Sequence, residues 1–214
     1  KKIDLPVCIL NIGGISNLTL IKDLKEENLI SKDIGPGNCL IDEWIRRNKK
    51  GNYDKNGEFA RQGKTNKLIL DQALDDFENI LSNNINSYDV NDFEINFLRG
   101  LDLEDGASTI TDFTSHIIAS KLLATISKYN QKISKVILCG GGKKNKTLIE
   151  RIKRDSHNKL KFETTDDYGV DGDFVESQAF AYLAIRSFLK LPITFPNTTG
   201  CELPSTGGIL AKNF

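Results

Sequence analysis

Val7-Cys8-Ile9-Leu10-Asn11-Ile12-Gly13-Gly14-Ile15-Ser16-Asn17-Leu18-Thr19-Leu20-Ile21 is the stretch that decides the fold class of this chain. Val7 to Ile12 is apolar except at Asn11, Gly13-Gly14 interrupts it, and Asn17 to Ile21 resumes with β-favouring residues. Strand, glycine turn and returning strand is the pattern this predicts. A polar turn, Lys22 to Asn28, separates it from Leu29 to Ile34, which predicts a third strand and an antiparallel meander.

Beyond Gly35-Pro36-Gly37 the period changes. Leu40, Ile41, Trp44 and Ile45 recur at helical spacing behind Asn38, an N-cap residue type. Residues 48 to 65 are polar and glycine-containing, and Leu70, Ala73, Leu74, Phe77 and Leu81 predict a second helix. Ser82 to Asp105, dense in Asn and Asp, reads as a long loop. Ile110, Phe113, Ile117, Leu122 and Ile126 predict an amphipathic helix capped by Ser108 or Thr109. Val136 to Cys139 then reads as a buried strand, Leu148 to Ile152 as a helix, Leu160 to Thr164 as a strand, and Val175 to Leu189 as a last helix before a tail from Pro192. Five strands with interspersed helices make one α/β domain over residues 1–214, a mixed five-stranded sheet with helices on both faces.

Composition excludes several classes. Hydrophobic residues make up 39% and charged residues 27%, which argues against disorder, and no apolar run reaches the length of a membrane span. Lys and Arg number 29 and so do Asp and Glu, so no general field draws nucleic acid or an anionic membrane. The run Arg46-Arg47-Asn48-Lys49-Lys50 reads as a solvated helix end. Cys8, Cys39, Cys139 and Cys201 are far apart and form no metal or redox motif, which points to a reducing compartment, the cytoplasm. The chain has no methionine and opens on Lys1-Lys2 close to a strand, as expected of a piece of a longer protein; no secretory signal is visible.

Three sites carry potential chemistry, each with a plain alternative. Gly13-Gly14 permits positive φ and close approach of a ligand to bare backbone, or is an ordinary hairpin turn. Gly140-Gly141-Gly142 ends a buried strand and leads toward a helix, where a base or phosphate can lie on the main chain with a hydrogen bond from Asn145; strand-to-helix turns also use glycine for steric reasons alone. Neither matches a dinucleotide fingerprint or a Walker A loop. Asp33, before Gly35-Pro36-Gly37-Asn38, is placed to accept a proton from an attacking hydroxyl or water, or to cap the turn that follows.

These segments together resemble the anhydro-N-acetylmuramic acid kinase family of actin-like sugar kinases. The resemblance runs through Leu10 to Thr19, Asp33 to Asn38 with Asp42 and Trp44, Tyr53-Asp54-Lys55-Asn56-Gly57, Cys139 to Gly142 with Asn145, Thr164 to Val170, Glu176 to Ala181, Leu191-Pro192 and Thr199-Gly200, in order along nearly the whole chain. It implies the C-terminal, ribonuclease H-like lobe of a two-lobe enzyme, with the N-terminal lobe and its first phosphate loop not in this chain. It further implies that Gly13 and Gly14 contact phosphate, that Gly140, Gly141, Gly142 and Asn145 face the adenosine of ATP, and that Asp33 activates water. Asn38 and Glu176 would lie near the sugar, and a helix-start carboxylate favoured by the dipole explains Glu176 equally well. The implied reaction opens the 1,6-anhydro ring and phosphorylates O6, a step of cell-wall recycling, with Mg2+ entering on the nucleotide and no metal cage in the protein.

A homodimer is compatible with this reading, and the lobe alone is expected to be inactive. Alternatives are another actin-like sugar kinase and a non-enzymatic lobe that binds a nucleotide or partner. The family's Pro-Lys-Ser loop corresponds to Ile85-Asn86-Ser87-Tyr88-Asp89-Val90-Asn91-Asp92-Phe93, which lacks the lysine.

Overall fold

A computed structural model describes residues 3–81, 87–129, 133–172, 174–209 and 211. Its sheet contains β1 (Val7–Ile12), β2 (Ile15–Ile21), β3 (Leu29–Pro36), β4 (Lys135–Cys139) and β5 (Lys161–Thr164) in the order β3-β2-β1-β4-β5. β1 pairs antiparallel with β2 and β2 with β3, whereas β1–β4 and β4–β5 are parallel. Only β2 therefore opposes the rest, the ribonuclease H-like arrangement that the resemblance implies.

Alternation along the strands sorts the two faces. Cys8, Leu10, Ile12, Leu18, Leu20, Ile34, Val136 and Leu138 enter one large core. Helices α1 (Cys39–Arg47), α4 (Leu103–Lys128) and α5 (Lys146–Asp155) contribute to it through Leu40, Trp44, Ile110, Ile117, Leu148 and Ile152. Val7 and Ile137 point the other way and meet Tyr168.

α4 is buried on nearly all sides from Gly106 to Ser115, so it is the central helix. Trp44 Nε1 donates to the Leu103 carbonyl at 2.9 Å, and the indole lies where a Cβ on Gly106 would be, which brings α1 and α4 close together. α5 is tied down by charge: Arg151 Nη1 and Arg154 Nη2 lie 3.1 and 2.7 Å from Asp112 Oδ1 on α4. Arg151 also donates to the carbonyls of Ser108 and Ala60.

Several boundaries differ from the sequence expectation. α4 starts at Leu103, with Ser108 and Thr109 inside it; the cap is Asp102, whose carboxylate accepts from Asp105 N at 2.8 Å. The helix extends back to this acidic turn because its small residues 106 to 109 pack in the core, a signal that apolar periodicity misses. The polar stretch 48–65 contains α2 (Glu58–Gln62), followed by α3 (Lys67–Leu81). Of the expected loop Ser82 to Asp105, residues 82–86 lie outside the described residues, and 3-10 turns at Val90–Asp92 and Asn96–Leu98 occupy part of the remainder. α6 (Val175–Phe188) exposes Phe180, Tyr182, Ile185 and Phe188, and the tail holds α7 (Pro196–Thr199) and a bridge between Thr194 and Ser205. Among the described residues no helix is long and apolar enough to cross a membrane.

Candidate functional site

Four strands run in one direction and β2 returns, so the ends of β1, β3, β4 and β5 and the β1–β2 turn meet at one edge of the sheet. In open α/β sheets this carboxyl edge is where ligands bind. Gly13-Gly14 forms the turn, Asp33 lies near the end of β3, Asn38 precedes α1, and Gly140 to Gly142 follow β4. Glu176 sits in the first turn of α6, and its charge helps burial raise the pKa of the Cys139 thiol at the end of β4.

Register adds a polar row. Asp33 is opposite Asn17, Asn17 opposite Asn11 and Asn11 opposite Cys139, with a register shift between Ser16 and Asn17. Their core-facing neighbours Ile34, Leu18, Ile12 and Leu138 fix these polar residues on the other face. Asp33 is half-buried, and its Oδ2 accepts from Ser87 Oγ at 3.1 Å and from Tyr88 N at 3.0 Å.

The hairpin turn is locked to the start of α1. Gly37 N and Cys39 N donate to the Gly14 carbonyl at 2.8 and 3.2 Å, and Asn38 N donates to the Gly13 carbonyl at 2.7 Å. Asn38 stands where a cap was expected, but its side chain makes no cap bond; Nδ2 donates to Ile12 O and Gly13 O at 3.4 and 3.2 Å. Gly37 is required by this closeness, since a Cβ there would fall 2.3 Å from Gly13 O. Neither Gly13 nor Gly14 has the positive φ that a tight turn would have explained.

The three consecutive glycines separate by role. Gly140 has φ +79°, and its Cβ would lie 2.7 Å from Ile12 O; that of Gly142 would lie 2.2 Å from Ile12 Cγ2. Gly141 is exposed and has nothing within 4 Å of that position. A 3-10 turn, Gly141–Lys144, intervenes before α5, because Asn145 is the helix cap: its Oδ1 accepts from Leu148 N at 3.0 Å.

Gly141, Asn145 and Asn38 line a cleft of about 430 Å³ together with Asp42, Tyr53 and Asp54. Sequence reasoning placed Asp42 and Asp54 in the resembling segments but gave them no role. Asp42 lies one turn beyond Asn38 on the same helical side, and that spacing was the legible signal. Burial raises its pKa to about 6, partly offset by Arg46. Asp54 is also raised by burial, opposed by hydrogen bonds from Ala60 N and Phe59 N, each at 3.0 Å, so it holds the start of α2. Among the described residues no group of three or more His, Cys, Asp or Glu is arranged to hold a metal.

The family model for anhydro-N-acetylmuramic acid kinase matches residues 2–212. The anhydro-N-acetylmuramic acid kinase of Pelagibacter ubique is 51% identical over 214 residues, all of this chain and 57% of that protein. The enzyme of the same name from Zymomonas mobilis is 36% identical over 207 residues, 95% of this chain and 53% of that protein. The chain thus spans about half the length of the curated relatives it matches. A solved structure, the activator of the 2-hydroxyisocaproyl-CoA dehydratase from Clostridium difficile with bound ADPNP, aligns with a TM-score of 0.43 and 12% identity over 76% of this chain and 55% of that one.

Proposed function

The chain belongs to the anhydro-N-acetylmuramic acid kinase family, and from that premise we propose that it is the C-terminal lobe of an ATP-dependent sugar kinase. The reaction is the hydrolytic opening of 1,6-anhydro-N-acetylmuramic acid with phosphorylation of O6. Asp33 takes a proton from water as the water oxygen bonds to the anomeric carbon. The bond from that carbon to O6 breaks, and the freed O6 takes the γ-phosphoryl group of ATP. The products are N-acetylmuramic acid 6-phosphate and ADP.

The carrying observation is that Asp33, the Gly13-Gly14 turn and the open Gly141 occupy one sheet edge in a chain of this family. A carboxylate, exposed glycine backbone and a cleft suit proton abstraction beside a phosphate-bearing ligand. Gly141 and Asn145 are assigned to the adenosine side of ATP, Gly13 and Gly14 to its phosphates, and Asn38 and Glu176 to the sugar side. Asn145 lines the cleft with its Oδ1 committed to capping α5, which leaves Nδ2 as the group it can offer a ligand. Mg2+ arrives with the nucleotide, held through phosphates and water as suits its octahedral preference.

Cell-wall recycling in the cytoplasm is the setting that fits such a substrate. Phosphoryl transfer depends on clamping from both sides of a cleft, so the 214-residue chain alone is expected to show no turnover. In the full-length protein, Asp33→Asn is expected to abolish ADP release with the anhydro sugar while ATP binding stays near wild type. Retention of most activity would remove Asp33 from the base role.

A further inference from the structure

Ser87 to Phe93 belong to the stretch Ile85 to Phe93 that lacks a family lysine, and Ser87 and Tyr88 lie directly on Asp33. Both bonds to Asp33 go to the same oxygen: Ser87 Oγ at 3.1 Å and Tyr88 N at 3.0 Å donate to Oδ2. Among the described residues Oδ1 has no hydrogen-bond partner.

What makes this clamp firm is its anchoring. Tyr88 is buried, its ring centroid 5.4 Å from Phe93 and 6.4 Å from Phe77, and Phe77 stands edge-on to Phe113 of α4 at 5.9 Å. Asp89 closes the turn that follows: its N–H donates to Asp92 Oδ2 at 2.7 Å and its Oδ1 accepts from Asn91 N at 2.9 Å. Val90 packs beside the hairpin, 3.5 Å from where a Cβ on Gly14 would be. The backbone donor at Tyr88 is thus fixed by the core, and the Ser87 hydroxyl is presented from an exposed residue next to it.

We infer that Ser87 is a positioning residue for Asp33, acting with Tyr88 N to orient the carboxylate so that one oxygen faces the reacting water. The inference rests on the reading of Asp33 as the base. Burial, with Asp33 and Asp92 after it, raises the pKa of the Tyr88 phenol, and Asp89 adds a further carboxylate to the turn. No cation of this segment replaces the hydroxyl, since the stretch from Ser87 to Phe93 contains neither Lys nor Arg.

The test is steady-state kinetics on the full-length protein with anhydro-N-acetylmuramic acid and ATP, alongside a urea midpoint for each variant. For Ser87→Ala, kcat falls roughly tenfold, the size of one lost hydrogen bond to a charged group. KM for ATP and the urea midpoint stay put, and Ser87→Thr restores most of the rate. Wild-type kcat in Ser87→Ala overturns the inference, and so does a loss of rate that Ser87→Thr does not restore. Asp33→Asn separates the two ideas: an active Asp33→Asn enzyme sinks the base reading itself, whereas an inactive one beside an unaffected Ser87→Ala sinks only the clamp.

Discussion

Alanine at each position of Gly140-Gly141-Gly142 in turn separates what the fold needs from what a ligand needs. At Gly140 the φ of +79° costs a non-glycine residue about 1–2 kcal/mol. The new Cβ would also lie 2.3 Å from Asn11 Oδ1, which can swing aside, and 2.7 Å from the Ile12 carbonyl, which is held in β1. Overpacking of that kind adds about 1–3 kcal/mol, so a loss of about 2–5 kcal/mol is expected. Gly142→Ala forces a methyl to within 2.2 Å of Ile12 Cγ2 in the core and is expected to cost about 1–3 kcal/mol. Gly141→Ala meets nothing within 4 Å and should stay within about 0.5 kcal/mol of wild type. Urea unfolding reads all three, with midpoint shifts of about 1 M for the flanking variants at ordinary m-values. In the full-length protein Gly141→Ala should nonetheless raise the Kd for ATP about tenfold, because the methyl stands in the cleft where the nucleotide is assigned. Equal destabilisation at all three positions would refute the division, as would a neutral Gly140→Ala.

Other residues give equally direct tests. Asp42 has its folded pKa raised to about 6 by burial, so it binds a proton more tightly folded than unfolded; its contribution to stability is present below its ordinary pKa near 4 and is lost as pH rises through 6. Asp42→Asn should therefore flatten the urea midpoint over that window and raise it at pH 7, and an unchanged pH slope would contradict the assignment. Asp112→Ala leaves Arg151, which also bridges the Ser108 and Ala60 carbonyls, without its buried carboxylate and should cost about 3 kcal/mol in urea unfolding. Asn38→Ala removes the two bonds to Ile12 O and Gly13 O but no helix cap, so far-UV circular dichroism should not change while amide exchange at the β1–β2 turn speeds up.

Much of this fold was legible because its strands are short and strongly patterned. The meander from Val7 to Pro36 and the buried strand ending at Cys139 followed from apolar runs broken by glycine. The start of α4 was not legible, because Gly106-Ala107-Ser108-Thr109 is buried by close helix packing and carries no apolar period. Asp33 could be picked out as a carboxylate before a Gly-Pro-Gly turn, but its partners lie 54 and 55 residues away in sequence. Nothing local in Ser87-Tyr88 announces that contact. The spacing of Asp42 from Asn38 was legible, but its significance depends on a cleft whose other wall, Tyr53 to Asp54 and Gly141 to Asn145, comes from distant segments.

The same distinction between internal need and external use bears on the hairpin. Gly37 cannot carry a side chain, since Gly13 O, Ser16 Oγ and Gly14 O crowd the position at 2.3, 3.0 and 3.1 Å. Gly13 and Gly14 are under no such constraint: their nearest neighbours to a Cβ lie at 3.4 and 3.5 Å, ordinary contact, and neither has positive φ. Their carbonyls, however, take the N–H groups of Gly37, Asn38 and Cys39, so the first N–H of α1 goes to the hairpin. The start of α5 gives one of its own N–H groups to Asn145. Gly14, exposed at the tip and free of any steric demand for glycine, leaves bare backbone that a phosphate can approach. An ordinary hairpin would tolerate a side chain there, so the glycine at position 14 favours a ligand-facing role over a purely structural one.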